Sequence, residues 1–162
     1  MDANEMRKNI LAKQTYKTLL EALDGINFSY INDDEHLSVS LKVGGERGSY
    51  KFVFIIDEKR QLIRLLSPLP IQVIPDRFVN MCVAVCLANN IQPRGRFDFE
   101  MREDGRMLFI MNSSFESSVI GKAVFVDMLY TALLTMDLHV DPFNAFNDGK
   151  IDLEGFLAAL GE

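Results

Sequence analysis

The chain has 162 residues, enough for one domain that buries a sizeable core, so folding needs neither disulfides nor a metal. Its 48% apolar and 25% charged residues are typical of a globular protein. A formal net charge of −6 and the lack of a basic stripe argue against nucleic acid or an anionic membrane as the main partner.

Two further observations concern the compartment. The N-terminal segment has no continuous apolar run, which argues against a signal peptide, and no stretch approaches the roughly 20 apolar residues of a membrane span. Cys82 and Cys86 lie four positions apart in an apolar run, and we interpret them as reduced, buried side chains on one face of a helix. We therefore expect a cytoplasmic protein.

The first third of the chain predicts a helix followed by strands. Residues 3–24 have a broad apolar face at helical spacing, and a short extended piece follows at 28–31. Strict alternation over 36–43 predicts a strand with one buried and one exposed face. Strands over 49–57 and 61–66 follow after short turns, so the three should form an antiparallel meander.

The middle of the chain predicts a buried helix. Pro68 and Pro70 end the sheet, and Pro75 occupies a position that suits the first residue of a helix. The helix that follows, over 78–87, is apolar around most of its circumference. Such a helix is buried on several sides or lies in an interface.

A hairpin at 96–112 is the most informative stretch. Asp104-Gly105 favours a tight two-residue turn, which would place Glu100 opposite Phe109. The first strand alternates, whereas the returning strand is apolar at five consecutive positions from Met107 to Met111. One face of that strand should pack on the core, so the other face needs a cover.

The candidate protein-binding residues are on that second face: Met107, Phe109 and Met111. Three covers are open: the C-terminal helix of the same chain, a second copy in a dimer, or a client protein. Methionine suits a client, because its unbranched thioether adapts to varied shapes.

The last third predicts helices. Ser117 or Ser118 could cap a helix that continues to about Asp137. Asp141-Pro142 resembles a second helix start, and a last short helix is expected over 153–160.

No set of residues predicts a catalytic, cofactor or metal site. The tail from Asp148 to Glu154 resembles half of a calcium loop, but Phe146 and Gly155 occupy positions that require oxygen ligands. His36 and His139 have no neighbours that suggest a catalytic triad. We therefore predict no enzyme, no cofactor and no metal.

The chain resembles the YbjN-like family over most of residues 15–160. The resemblance rests on Ala88-Asn89-Asn90 leading into Gly95-Arg96-Phe97-Asp98-Phe99-Glu100 and the Asp-Gly turn, and on the tail Asn147-Asp148-Gly149-Lys150-Ile151. It implies a fold similar to the chaperones of type III secretion, which are small acidic cytoplasmic homodimers that bind extended client segments along apolar patches. It also implies a loose link to sensory or stress regulation, and it supplies no catalytic residues.

These patterns together predict an α+β fold in which an antiparallel sheet, a three-stranded meander plus a hairpin, packs with helices in the order α-β-β-β-α-β-β-α, as in secretion chaperones. We expect one YbjN-like domain over 1–162, with the last ~20 residues a short helical extension. The expected function is non-enzymatic protein binding, chaperone-like or regulatory, as a homodimer. The alternative is a small-ligand sensor with a pocket between the sheet and the C-terminal helix.

Overall fold

The computed structural model describes residues 2–100, 106–116, 118 and 120–161. The helices and strands, in chain order, are α1 (Ala3–Gly25), β1 (Tyr30–Asp33), β2 (Ser38–Gly44), β3 (Ser49–Asp57), β4 (Leu62–Pro68), α2 (Phe78–Ile91), β5 (Arg96–Glu100), β6 (Arg106–Ser114), α3 (Lys122–Asn147) and α4 (Leu153–Ala159). The predicted α+β class and the antiparallel sheet are confirmed. The sheet has one strand more than predicted, because the extended piece near residue 30 is β1.

The six strands form one antiparallel sheet in the order β1-β2-β3-β4-β6-β5. The sequence of β1 does not alternate, and its pairing with β2 decides its structure: Tyr30 lies opposite Leu41, and Asp33 opposite Ser38. The hairpin of β5 and β6 joins the meander through β6, which lies beside β4. The returning strand is therefore central in the sheet, and β5 forms one edge.

One face of the sheet is covered by helices. In β3 the predicted alternation is confirmed, since Tyr50, Phe52, Phe54 and Ile56 are all buried. Residues of α1, α2 and α3 complete the same core, and α4 is anchored to it by the fully buried Phe156. We call this the inner face of the sheet.

Local signals explain where α1 and α4 begin. Asp2 accepts a hydrogen bond from the Glu5 amide at 2.8 Å while the Glu5 carboxylate accepts one from the Asp2 amide, which is a capping box. Asp152 caps α4 by accepting from the Gly155 amide at 2.8 Å. The predicted serine cap of α3 is wrong, because α3 begins at Lys122 without a side-chain cap.

The predicted break before Pro142 is also wrong. Proline lacks an amide hydrogen and disfavours a helix interior, yet α3 continues through Pro142 to Asn147. Val140, Phe143 and Phe146 are all buried on one side of this stretch. Their packing on the core holds the helical conformation and offsets the lost hydrogen bond.

Helix α3 is long and apolar enough to cross a membrane by length and composition alone. Half of its most apolar stretch is buried inside the fold, where Phe125, Leu129 and Met136 belong to the core. The apolar character of α3 is therefore that of a core helix.

A carboxylate on α3 holds the turn between β2 and β3. Asp137 accepts hydrogen bonds from the amides of Glu46 at 2.9 Å and Arg47 at 3.1 Å, and from the Tyr50 hydroxyl at 2.8 Å. Gly45 lies so close that a Cβ atom there would overlap the Asp137 carboxylate. Burial alone would raise the pKa of Asp137, but the hydrogen bonds from Tyr50 and the two amides bring that pKa below its ordinary value.

We predict that Asp137→Ala lowers the free energy of unfolding by roughly 3 kcal/mol, because charge-assisted hydrogen bonds are lost and the buried Tyr50 hydroxyl loses its acceptor. Urea unfolding followed by circular dichroism measures it. The matched control is Asp141→Ala, which removes only an exposed ion pair with Arg47 at 3.2 Å and should cost at most about 0.5 kcal/mol. Equal losses in the two variants would contradict the prediction.

Candidate protein-binding surface

The three predicted binding residues lie in the core. Met107 and Phe109 are 0% exposed and Met111 is 4% exposed. The predicted register is wrong, since Phe97 lies opposite Phe109, and Glu100 opposite Arg106. The Asp104-Gly105 turn lies outside the described residues. The pairing of Glu100 with Arg106 leaves five residues between paired positions, an odd number, whereas a two-residue turn requires an even number.

The chain's own helix α3 covers this face of the hairpin. The Phe97 ring lies 5.2 Å from the Phe109 ring, 5.0 Å from Phe143 and 4.9 Å from His139, measured between ring centres. In this conformation the side chains of Met107, Phe109 and Met111 offer no surface to a partner. A role in protein binding stays a prediction for these residues, and it would require the hairpin to separate from α3.

Leu108 and Ile110 alternate with the three predicted residues along β6, so their side chains face the opposite side of the sheet. We call this side the open face. The core cluster includes inner-face residues of the sheet and none of the described open-face side chains. A continuous row of paired positions crosses all six strands on the open face: Ile31, Ser40, Val53, Leu66, Ile110 and Arg96. We call these six residues the cross-strand row.

The cross-strand row is apolar at four of its six positions. Ile31 is 76% exposed, Val53 and Leu66 are partly exposed, and Ile110 is buried. Ile55 and Leu108 flank the row on the open face, and Leu62 lies further along β4, beyond Arg64. Alternation of the strands could have found this surface, because its members are the positions between the core residues.

Two lysines border the row on neighbouring strands. Lys42 and Lys51 lie directly opposite each other in β2 and β3, and both are exposed. Like charges in such a pair destabilise a sheet. The open face therefore combines apolar surface with unfavourably placed positive charge.

The edge of the sheet at β5 is covered by side chains. Asn89 of α2 donates to the Phe97 carbonyl at 2.9 Å and accepts from the Phe97 amide at 2.7 Å, so its side-chain amide takes the place of a neighbouring strand. The Phe99 amide donates to the Asp98 carboxylate at 2.9 Å. Both outward amides are thus already bonded, which disfavours the addition of another strand there.

Helix α2 carries a second exposed apolar surface. Its 14 residues include no charged side chain. Met81, Ala84 and Ala88 pack on the core, whereas Val79 is 73% exposed, Val83 is 43% exposed and Cys86 is exposed. Cys82 is partly exposed, Cys86 is exposed and neither forms a disulfide, so the prediction that both are buried is wrong.

Among the described residues, no group of three or more histidine, cysteine, aspartate or glutamate side chains could hold a metal ion. In the tail, Asp148 pairs with Lys150 at 2.7 Å and Asp152 caps α4. His36 lies on an exposed turn, where the hydrogen bond and charge of Asp33 raise the pKa of His36.

His139 is buried in the aromatic cluster of the core. Its Nδ1 lies 2.8 Å from the Thr135 carbonyl oxygen, while Nε2 is buried without a hydrogen-bond partner. The rings of Phe97 and Phe143 lie against it. Burial disfavours the charged imidazolium and lowers the pKa of His139 below its ordinary value.

The fold matches solved structures, whereas no family model and no curated protein matches the sequence. YbjN from E. coli, a candidate transcription regulator, superimposes with a TM-score of 0.61 at 11% identity, over 83% of this chain and 92% of that one. A chain of the HopA1–SchA chaperone–effector complex gives 0.57 at 16% identity, over 77% and 92%.

A chain of the ExsC–ExsE complex gives a TM-score of 0.58 at 12% identity, over 87% of this chain and 96% of that one. The chain therefore has the fold of YbjN and of type III secretion chaperones. At these identities the likeness extends to the fold alone.

We predict that the two histidines change the pH dependence of stability in opposite directions. In the unfolded chain His139 is protonated near pH 6.5, whereas in the folded chain its pKa is lower. The free energy of unfolding therefore falls as pH drops below about 6.5. His139→Phe should remove this loss. His36 has a raised pKa, so its contribution is present below about pH 6.5 and disappears as pH rises through the folded pKa.

Urea midpoints measured from pH 8 to pH 5 test both histidines, with each variant compared to wild type. The His139→Phe variant should gain stability relative to wild type on acidification, and His36→Gln should lose it. A His139→Phe curve parallel to that of wild type would contradict the prediction.

Proposed function

We propose that this chain is a non-enzymatic protein-binding module, chaperone-like or regulatory, that holds an apolar segment of a client protein on the open face of its sheet. The cross-strand row carries this proposal. The row is apolar on four of the six strands, and no helix of the described chain covers it, so it offers a partner hydrophobic surface to bury.

Binding by side chains is favoured over strand addition at β5. Asn89 and Asp98 already satisfy the outward groups of Phe97 and the outward amide of Phe99. A client would therefore place apolar side chains between those of Val53, Leu66 and Leu108. The lysine pair beside the row favours a client with acidic residues next to the apolar ones.

The structural comparisons support this function without establishing it. Two of the matching chains come from complexes, one of them a chaperone with its effector. The alternative of a small-ligand pocket between the sheet and α3 receives no support, because Phe54, Phe125 and Phe97 with Phe143 fill that space with packed rings.

The proposed working form is a homodimer that meets through α2. A twofold interface brings a surface patch against its own copy, so charges in the patch would repel the same charges on the other subunit. A suitable patch therefore has few charged side chains. In a protein of net charge −6, the uncharged α2 with its exposed Val79 and Val83 meets that condition. We further propose one cytoplasmic domain over 1–162 with no nucleic-acid or membrane partner.

Site-specific photo-crosslinking tests the open face. We predict that a benzophenone amino acid at Ser40, inside the cross-strand row, captures client protein in cell extract, whereas the same group at exposed Lys13 on α1 does not. The double variant Val53→Thr with Leu66→Gln should reduce the Ser40 adduct roughly tenfold, because apolar burial is lost. Adducts of equal yield at Ser40 and Lys13, or an unchanged yield in the double variant, would contradict the proposal.

Sedimentation tests the dimer. We predict that wild type has twice the 18.4 kDa mass of the chain and that Val79→Glu with Val83→Glu yields monomers, because like charges would meet across the twofold axis. The matched control is Leu134→Glu with Leu138→Glu, which changes equally exposed leucines on α3. A dimer that survives the α2 change, or one that the α3 change disrupts, would contradict the assignment.

A further inference from the structure

A cleft of about 480 Å³ lies between α2 and the connection from α3 to α4. Its apolar walls are Val83, Phe146, Ile151 and Leu153, and three charged residues also line it: Arg77, Lys150 and Asp152. The cleft is on the helical side of the molecule, away from the open face. Its size and mixed lining suit part of a small ligand.

The guanidinium of Arg77 is the unusual group in this cleft. It donates through Nη2 to the Phe146 carbonyl and lies 5.1 Å above the Phe146 ring, which fixes its position. Its Nε atom is buried without a hydrogen-bond partner. No carboxylate in the described ranges lies within ion-pair distance of Arg77, although partly buried charges are normally paired.

Two acidic side chains of the connection between α3 and α4 are already engaged. Asp148 forms an ion pair with Lys150 at 2.7 Å, and Asp152 accepts the Gly155 amide at 2.8 Å as the cap of α4. Arg77 is therefore a firmly held cation beside apolar walls, without an ion-pair partner in the part of the chain that the structure describes. A planar guanidinium binds a carboxylate through two parallel hydrogen bonds.

We propose that this cleft binds a carboxylate attached to an apolar group, with the carboxylate on Arg77 and the apolar group against Val83, Ile151 and Leu153. Two sources share this chemistry: a free aliphatic acid, or the C-terminal residue of a polypeptide. The site is independent of the open face and of client binding, so each can fail without the other. It shares Val83 with the α2 surface proposed for the dimer.

Nuclear magnetic resonance titration of the wild-type protein tests the chemistry without any variant. Hexanoate should bind saturably and shift the amides of Asn80, Gly149 and Ile151, while neutral hexanamide binds at least tenfold more weakly. From butanoate to octanoate, affinity should rise about threefold to fourfold per methylene. Acetyl-alanyl-leucine, compared with its C-terminal amide, tests the polypeptide source.

Binding of either acid over its neutral counterpart supports the site and identifies the source. Equal binding of acid and amide, shifts confined to other surfaces, or no saturable binding of either acid overturns the proposal. Arg77→Lys keeps the charge but loses the planar fork, and it should weaken hexanoate about tenfold.

A second pair of variants covers the case in which Arg77 variants fail to fold. Leu153→Asp introduces a negative charge on the cleft wall at a partly exposed position and should weaken hexanoate at least tenfold. Leu134→Asp makes the same change on the exposed surface of α3, outside the cleft, and should leave the affinity unchanged. Equal effects of the two variants would overturn the assignment.

Discussion

The packing of the odd-numbered side chains of β6 on the core determines which face of the sheet is covered and which is open. Met107, Phe109 and Met111 pack beneath α3, and the Phe97 ring contacts the rings of both Phe109 and Phe143. Since side chains on a strand alternate, Leu108 and Ile110 must then face the other way. Because β6 lies between β4 and β5, this second set joins Leu66 and Val53 into a continuous band. The core and the proposed binding surface are two results of the same packing.

Sequence reasoning identified the elements well because their signals are local. The alternation of β2 and β3, the Asp152 cap and the apolar periodicity of α3 each depend on residues within a few positions. The predictions failed where the structure depends on contacts between residues far apart in the chain. Strand β1 exists because β2 pairs with it, and α3 passes Pro142 because the core holds Val140 and Phe143.

The prediction of Met107, Phe109 and Met111 as binding residues depended on a hairpin register that is wrong. The Asp-Gly pair suggested a two-residue turn, which set polar residues of β5 opposite Phe109 and made the odd-numbered face of β6 appear uncovered. The observed pairing sets Phe97 opposite Phe109 and thereby assigns that face to the core. A single shift in register exchanges the two faces of a strand, so no local signal in the hairpin could have decided which apolar set is exposed. The anchoring of Arg77 by Phe146, 69 positions away, was equally beyond the sequence.

The facing lysines Lys42 and Lys51 have a consequence for how the protein responds to ionic strength. Without a partner, dissolved salt screens their repulsion and stabilises the sheet. With an acidic client residue placed between them, the same salt screens an attraction and loosens the complex. High salt would thus favour the free protein, and low salt would favour the complex. Apolar contact alone cannot couple client binding to ionic strength in this way.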